Sequence, residues 1–179
     1  MTGPALDPPG PPTPDRVALV GVSGVGKTRI GQLLAERRAS SFLDADDLHP
    51  PGNVAKMSAG VPLTDADREP WLDEVARRWA AAGPGAVLAC SALKRAYRDR
   101  LRRQVPDGVV VMLEAPADLL EARLVRRRGH FMPASLLASQ LADLEPLGPE
   151  ERGLVVSVAG TPEEVVSRVV RRLEVGRSA

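Results

Sequence analysis

Eight residues, GVSGVGKT at positions 21–28, follow directly on the apolar run VALV at 17–20, and they restrict the chain more than any other stretch. They fill every fixed position of the pattern G-x-x-x-x-G-K-[ST], which calls for a strand before it and a helix after it. Gly21, Gly24 and Gly26 allow backbone angles that strain other residues, so successive N–H groups can turn inward around an anion. A helix opening near Lys27 points the positive end of its dipole at the same place. Lys27 supplies a mobile charge for outer phosphates, and the Thr28 hydroxyl can ligate magnesium. The pattern therefore predicts nucleoside triphosphate binding by Gly21, Val22, Ser23, Gly24, Val25, Gly26, Lys27 and Thr28.

The rest of the chain repeats that strand-then-helix alternation. Strands are expected over 17–20, 41–43, 86–89, 109–113 and 154–158. Helices are expected over 28–38, 51–58, 94–104, 117–128, 133–144 and 161–173. A longer helix capped by Asp65 or Asp67 should reach residue 82, with Trp71, Val75 and Trp79 on one face. Gly83-Pro84-Gly85 stops it. Continuous apolar strands separated by helices indicate a parallel sheet covered on both faces. Ligands of such sheets lie beyond the carboxyl ends of the strands. The polar stretches 21–28, 44–49 and 91–94 each follow a strand.

Composition narrows the function classes. The 179 residues suit one domain, expected over 15–179, and residues 1–14, with six prolines and two glycines, read as a disordered tail. A net charge of +1 offers no basic field for nucleic acid or an anionic membrane, and aromatic stacking platforms are scarce. No apolar run reaches the roughly 18 residues that span a bilayer. The single Cys90 suits a reducing, cytoplasmic setting. Only Lys27, Lys56 and Lys94 are lysines among the 24 basic residues, and all three fall in the stretches singled out here. A compact ammonium differs from a planar guanidinium, so these places are expected to need lysine.

A phosphate-binding loop alone serves many enzymes. The chain has no Asn-Lys-x-Asp guanine-reading motif, and its third strand ends in Cys90-Ser91 without the magnesium-binding Asp of motor ATPases. Small-molecule kinases need positioning, charge neutralisation and a carboxylate that takes the substrate proton. Asp44, Asp46 and Asp47 follow the second strand and offer one; the alternative is that Asp44 and Asp46 cap the next helix.

Three long blocks carry a resemblance. FLDADDLHPPGNVAKMSAGVPLTDADREPWL (42–72), ACSALKRAYRDRLR (89–102) and RGHFMPASLLASQLADLEPL (128–147) are similar to the motifs of gluconokinases. That family phosphorylates the 6-hydroxyl of D-gluconate with ATP. The resemblance implies an α/β fold of the P-loop NTPase type: three layers, α/β/α, a five-stranded parallel sheet, and a helical lid within about 124–145. It implies ATP and Mg2+, with Thr28 and Asp44 on the metal, and a small-molecule acceptor. It also implies a homodimer. It makes Lys27, Asp46, Lys94 and Arg127 catalytic, with Asp46 taking the proton, and puts Arg123 and Arg127 on ATP. It assigns the acceptor to Asp46, His49, Asn53, Lys56, Arg68 and Lys94. A bidentate guanidinium at Arg68 suits the acceptor carboxylate, as in shikimate kinases; the alternative is an exposed ion pair with Asp65 or Glu69. Lys94 can instead be a solvated first-turn lysine, and Arg123 to Arg128 a solvated helix face leading to a hinge at Gly129 and to His130. Two departures stand out. Val25 replaces a common Ser and is expected to point outward, and 157–160 lacks a common Asp near the adenine side. A kinase of another hydroxy acid such as shikimate, and a regulatory module without catalysis, are the rival readings.

Overall fold

A computed structural model describes residues 15–116, 119–120 and 137–176. Five strands form one sheet: β1 Val17–Val20, β2 Phe42–Asp44, β3 Val87–Ala89, β4 Val109–Glu114 and β5 Gly153–Ser157. Their order is β2-β3-β1-β4-β5, and every pairing is parallel. The helices are α1 Lys27–Arg37, α2 Pro51–Ser58, α3 Asp65–Ala81, α4 Arg95–Gln104, α5 Leu137–Asp143 and α6 Pro162–Val175, with a 3-10 turn at Ala45–Leu48.

Period-two alternation sorts the side chains into two cores. Val17 and Leu19 of β1, with Val109, Val111 and Leu113 of β4, face α1 and α6 through Ile30, Leu34, Val165 and Val169. Ala18, Val20, Val110 and Met112 face Trp71, Leu72, Val75 and Trp79 of α3 and Leu101 of α4. Each face thus buries apolar surface against its own helices, which yields the expected three layers.

Boundaries moved for identifiable reasons. Thr64, not Asp65 or Asp67, caps α3: its hydroxyl accepts from Asp67 N while the Asp67 carboxylate accepts from Thr64 N, a reciprocal capping box. Asp44 belongs to β2 because its backbone still pairs with Ala89, whose other partner is Leu19 of β1. This register sets the ends of β1, β2 and β3 level, so the loops after them share one rim. The expected tail over 1–14, the helix over 117–128 apart from residues 119–120 and so with Arg123 and Arg127, and most of the expected lid, with Gly129 and His130, lie outside the described residues. Among the described residues no helix is long and apolar enough to cross a membrane.

Candidate active site

The loop after β1 is built by glycine geometry. Gly21, Gly24 and Gly26 have φ of 143°, 83° and 103°. A Cβ on Gly21 would lie 2.8 Å from the Leu113 carbonyl oxygen, so glycine is required there on steric grounds as well. Gly26 is the N-cap of α1 and offers no side-chain acceptor, which leaves the first-turn amides to an anion. Lys27 Nζ donates to the carbonyls of Gly21 at 2.8 Å and Val22 at 3.1 Å. Val25 does not point outward as expected. With the loop amides turned inward its side chain packs back into the core beside Ile30, Val158 and Val165, and it is fully buried.

Against this loop lies a cavity of about 340 Å³ lined by Gly24, Gly26, Lys27, Thr28, Asp46, Ser91 and Gln140, among others. A second cavity of about 30 Å³ adjoins it, lined by Asp46, His49, Arg68, Trp71, Ser91, Tyr97 and Gln140, among others. Asp46, Ser91 and Gln140 line both and so form the partition between them. A large chamber beside the phosphate loop and a small one of mixed lining thus meet at a carboxylate.

The acid that ends β2 and the one two residues beyond it have separate tasks. Asp44 Oδ1 accepts from Asp46 N at 3.1 Å and caps the 3-10 turn, while its Oδ2 accepts from Thr28 Oγ1 at 2.7 Å. One carboxylate thus caps the turn and contacts the phosphate loop at once. Asp46 is carried on the turn so capped and reaches the partition.

In the second cavity His49 lies flat on Trp71, with ring centroids 4.0 Å apart and planes 13° off parallel. Trp71 is itself fixed by donating Nε1 to Ala45 O at 2.9 Å. Burial, aided by the Arg68 charge, pushes the His49 pKa down to about 4, so the ring is neutral near pH 7 and can accept or donate to hydroxyls. Arg68 pairs with neither Asp65 nor Glu69 directly. Its Nη1 donates to Tyr97 Oη at 3.2 Å and lies 3.5 Å from Asp143, and its side chain is 15% exposed, too covered for a solvated surface pair.

Tyr97 organises the cations. Arg68 and Lys94 each sit 5.5 Å from its ring centroid. Its hydroxyl donates to Asp65, which also accepts from Lys94 Nζ at 2.9 Å. Those hydrogen bonds, Tyr97's first, hold the Asp65 carboxyl below its usual range, and Asp65 in turn raises Lys94. Lys94 is the N-cap of α4 and lies beside the cavity without lining it. Asn53 and Lys56 line neither cavity. Asn53 donates to Asp67 O at 3.0 Å, and Lys56 is paired with Asp67 at 2.6 Å, so both brace the start of α3. Tyr97, Gln140 and Asp143 were not singled out from sequence, while Ser91 entered only as a polar residue after a strand and Asp65 only as a cap or ion-pair candidate. One signal existed: Gln140 falls three residues after buried Leu137, at a phase where an apolar residue is expected.

For magnesium, Thr28 and Asp44 offer two hard oxygens at the edge of the phosphate cavity. That suits an ion which takes one or two protein oxygens and keeps its remaining places for water and phosphate. A third cavity, of about 260 Å³, flanks the phosphate loop and is lined by Gly24, Val25, Val158, Gly160 and Pro162, among others. Cys90, buried at the end of β3, has its thiol pKa pushed up to about 12 by burial, which keeps it out of the chemistry.

Comparison with known proteins agrees with this geometry. A family model described as an AAA domain matches residues 17–147. A gluconokinase of Gluconobacter oxydans is 48% identical over 164 residues, covering 90% of this chain and 92% of that protein. A crystal structure of a gluconokinase from Sinorhizobium meliloti superposes with a TM-score of 0.82 at 43% identity, over 90% of this chain and 93% of that one. A shikimate kinase from Aquifex aeolicus matches at TM-score 0.61 and 20% identity, over 92% of this chain and 99% of that one, which is a likeness of fold alone. With close to half its residues shared across nine-tenths of its length, the chain belongs to the gluconokinase family.

Proposed function

We propose that this chain transfers the γ-phosphoryl group of ATP to the 6-hydroxyl of D-gluconate, giving 6-phospho-D-gluconate and ADP. The observation that supports this reading best is the partition: Asp46 borders both the phosphate cavity and the second cavity, so a hydroxyl held in one faces a phosphorus held in the other.

ATP lies with its outer phosphates in the loop of Gly21 to Thr28, against the α1 N-terminus, with its base toward the cavity beside Val158 and Pro162. Lys27 swings from the loop carbonyls to the phosphates. Thr28 and Asp44 would hold Mg2+, which when bound would neutralise phosphate charge. Gluconate binds at the second cavity, which at about 30 Å³ must widen to admit it, with its carboxylate toward Arg68, supported by Lys94, and its hydroxyls toward His49. The acceptor oxygen forms its bond to phosphorus while the bond to the bridging oxygen breaks, and that electron pair leaves with ADP. Asp46 orients the hydroxyl and receives its proton. A free Asp titrates near 4, so the proton moves late, once the oxygen has begun bonding phosphorus. Arg123 and Arg127 keep the nucleotide-binding role that the family resemblance gives them, Arg127 also its catalytic one. A homodimer in the cytoplasm completes the reading.

The test is ADP release measured with gluconate, shikimate and a panel of sugar acids. Gluconate is expected to dominate. Comparable turnover with shikimate would refute the acceptor assignment, and ATP binding without turnover on any acid would favour a regulatory module.

A further inference from the structure

Gln140 has no part in the mechanism above, yet it stands in the partition. It is 8% exposed, on α5, and its Oε1 accepts a 2.6 Å hydrogen bond from Ser23 N. Ser23 lies in the phosphate loop 117 residues earlier in the chain. Packing alone would be served by leucine at this helix phase, since Leu137, one turn earlier, is buried in the core. A carboxamide here satisfies a loop amide, and the residue that carries it borders both cavities.

A carboxamide oxygen only accepts and its amino group only donates. The assignment of the two ends is usually ambiguous, but the Ser23 N–H is a donor and must meet the oxygen. The partition is also lined by Asp46 and Ser91. Resting on the proposed phosphoryl transfer, we propose that Gln140 is a further catalytic residue: its amino group donates to an oxygen of the phosphoryl group in flight, while Ser23 holds its oxygen. The equatorial oxygens carry the charge in such a transition state, and a donor already fixed in place stabilises it without reorganising. A neutral donor does this without attracting the Asp46 carboxylate away from the hydroxyl. The same side chain keeps water from the space between the two chambers.

The experiment compares Gln140→Met and Gln140→Glu with wild type in the full chain. Methionine keeps the length and loses both polar ends; glutamate keeps an acceptor for Ser23 N and loses the donor. For both, kcat is expected to fall about 10- to 100-fold. For Gln140→Met, KM for gluconate and Kd for ATP should stay within about threefold, since the bond is made in the transition state, whereas the negative charge of Gln140→Glu also weakens ATP binding. For Gln140→Glu the ratio of variant to wild-type kcat should also climb as pH falls from 8 toward 5.5, because a protonated carboxyl regains a donor. Either variant keeping kcat within twofold would overturn the inference, as would, for Gln140→Met, a fall in rate matched by an equal loss of ATP affinity. A wild type that ignores gluconate would instead sink the parent reading, and thermal melting of Gln140→Glu separates misfolding from both.

Discussion

Arg98 is the place, away from the reacting groups, where one substitution should do most damage. It is fully buried and directs five hydrogen bonds at one structural joint. Two go to Glu151, at 2.7 and 2.9 Å; the others go to the carbonyls of Leu93 at 2.7 Å, Glu145 at 3.1 Å and Pro146 at 3.1 Å. Glu145 is tied to the same joint by its backbone N on Leu93 O at 3.0 Å and its carboxylate on Arg95 N at 2.5 Å. Arg98 therefore fastens the segment that follows α5 to the start of α4. Arg98→Met leaves the buried Glu151 carboxylate with the Gly148 N–H at 2.7 Å and Arg95 no nearer than 4.0 Å. Breaking a buried pair from one side costs about 3–5 kcal/mol. Each kcal/mol shifts the melting temperature by about 2–4 °C in a domain of this size, so a drop of about 6–20 °C is expected. Removing both charges in Arg98→Met/Glu151→Leu eliminates the stranded carboxylate but leaves three carbonyls short of a donor, at about 1 kcal/mol each. The double variant should therefore melt above the single one and below wild type.

Acid adds a signature to this test. The Arg98 hydrogen bonds hold the Glu151 carboxyl below its usual range, so the wild-type contribution is present above the unfolded pKa and lost as pH falls through the folded one. In Arg98→Met the sign reverses: protonation relieves the stranded charge, and the gap to wild type narrows toward pH 5. Differential scanning fluorimetry across pH reads all of this. A single variant within 2 °C of wild type, or a double variant no better than the single, would refute the reasoning.

Three further outcomes are expected. Asp46→Asn should lower kcat by about 10²–10⁴-fold in a coupled assay while calorimetry finds ATP affinity within about threefold, and equal losses in both would remove its role as proton acceptor. His49 binds fewer protons folded than unfolded between about pH 4 and its ordinary value, so its contribution is full above that window and lost as pH falls through it; His49→Gln should flatten the dependence of melting temperature on pH there, and an unchanged slope would contradict the assigned pKa of about 4. Lys56→Arg should keep turnover within about twofold, since its half-exposed pair with Asp67 accepts either cation, whereas Lys94→Arg should lose activity because a larger head must fit over Tyr97; the reverse order would return Lys56 to the acceptor.

How far the sequence could be read depends on contact range. The run at 17–20 and the glycines after it are local, and β1 and the phosphate loop came out as the pattern requires. Helix α2 began at Pro51, where proline suits a first turn. The level ends of β1, β2 and β3 follow from parallel pairing, so the acids after β2 had to share a rim with the loop after β1. The α3 cap was misplaced because an acid near a helix start can act as the returning half of a capping box, as Asp67 does for Thr64. Tyr97 and Gln140 could not be placed. Their partners lie 32 and 117 residues away, and no local periodicity encodes which helix faces which loop. Asn53 and Lys56 share a block with His49, but α2 turns them toward Asp67.

The two ends of the second cavity are each anchored by backbone. Asp46 rides on a turn capped by Asp44, and Arg68 follows the α3 cap by one helical turn, its own N–H bonded to Thr64 O at 3.2 Å. A molecule gripped at its acid group by one and offering its last hydroxyl to the other is measured by length. Adding or removing a single carbon moves that hydroxyl by about 1 Å, and an error on that scale costs on the order of a hundredfold in rate. On the proposed roles of Asp46 and Arg68, shorter and longer sugar acids are expected to turn over more slowly than gluconate, because their last hydroxyl falls short of the phosphorus or overshoots it.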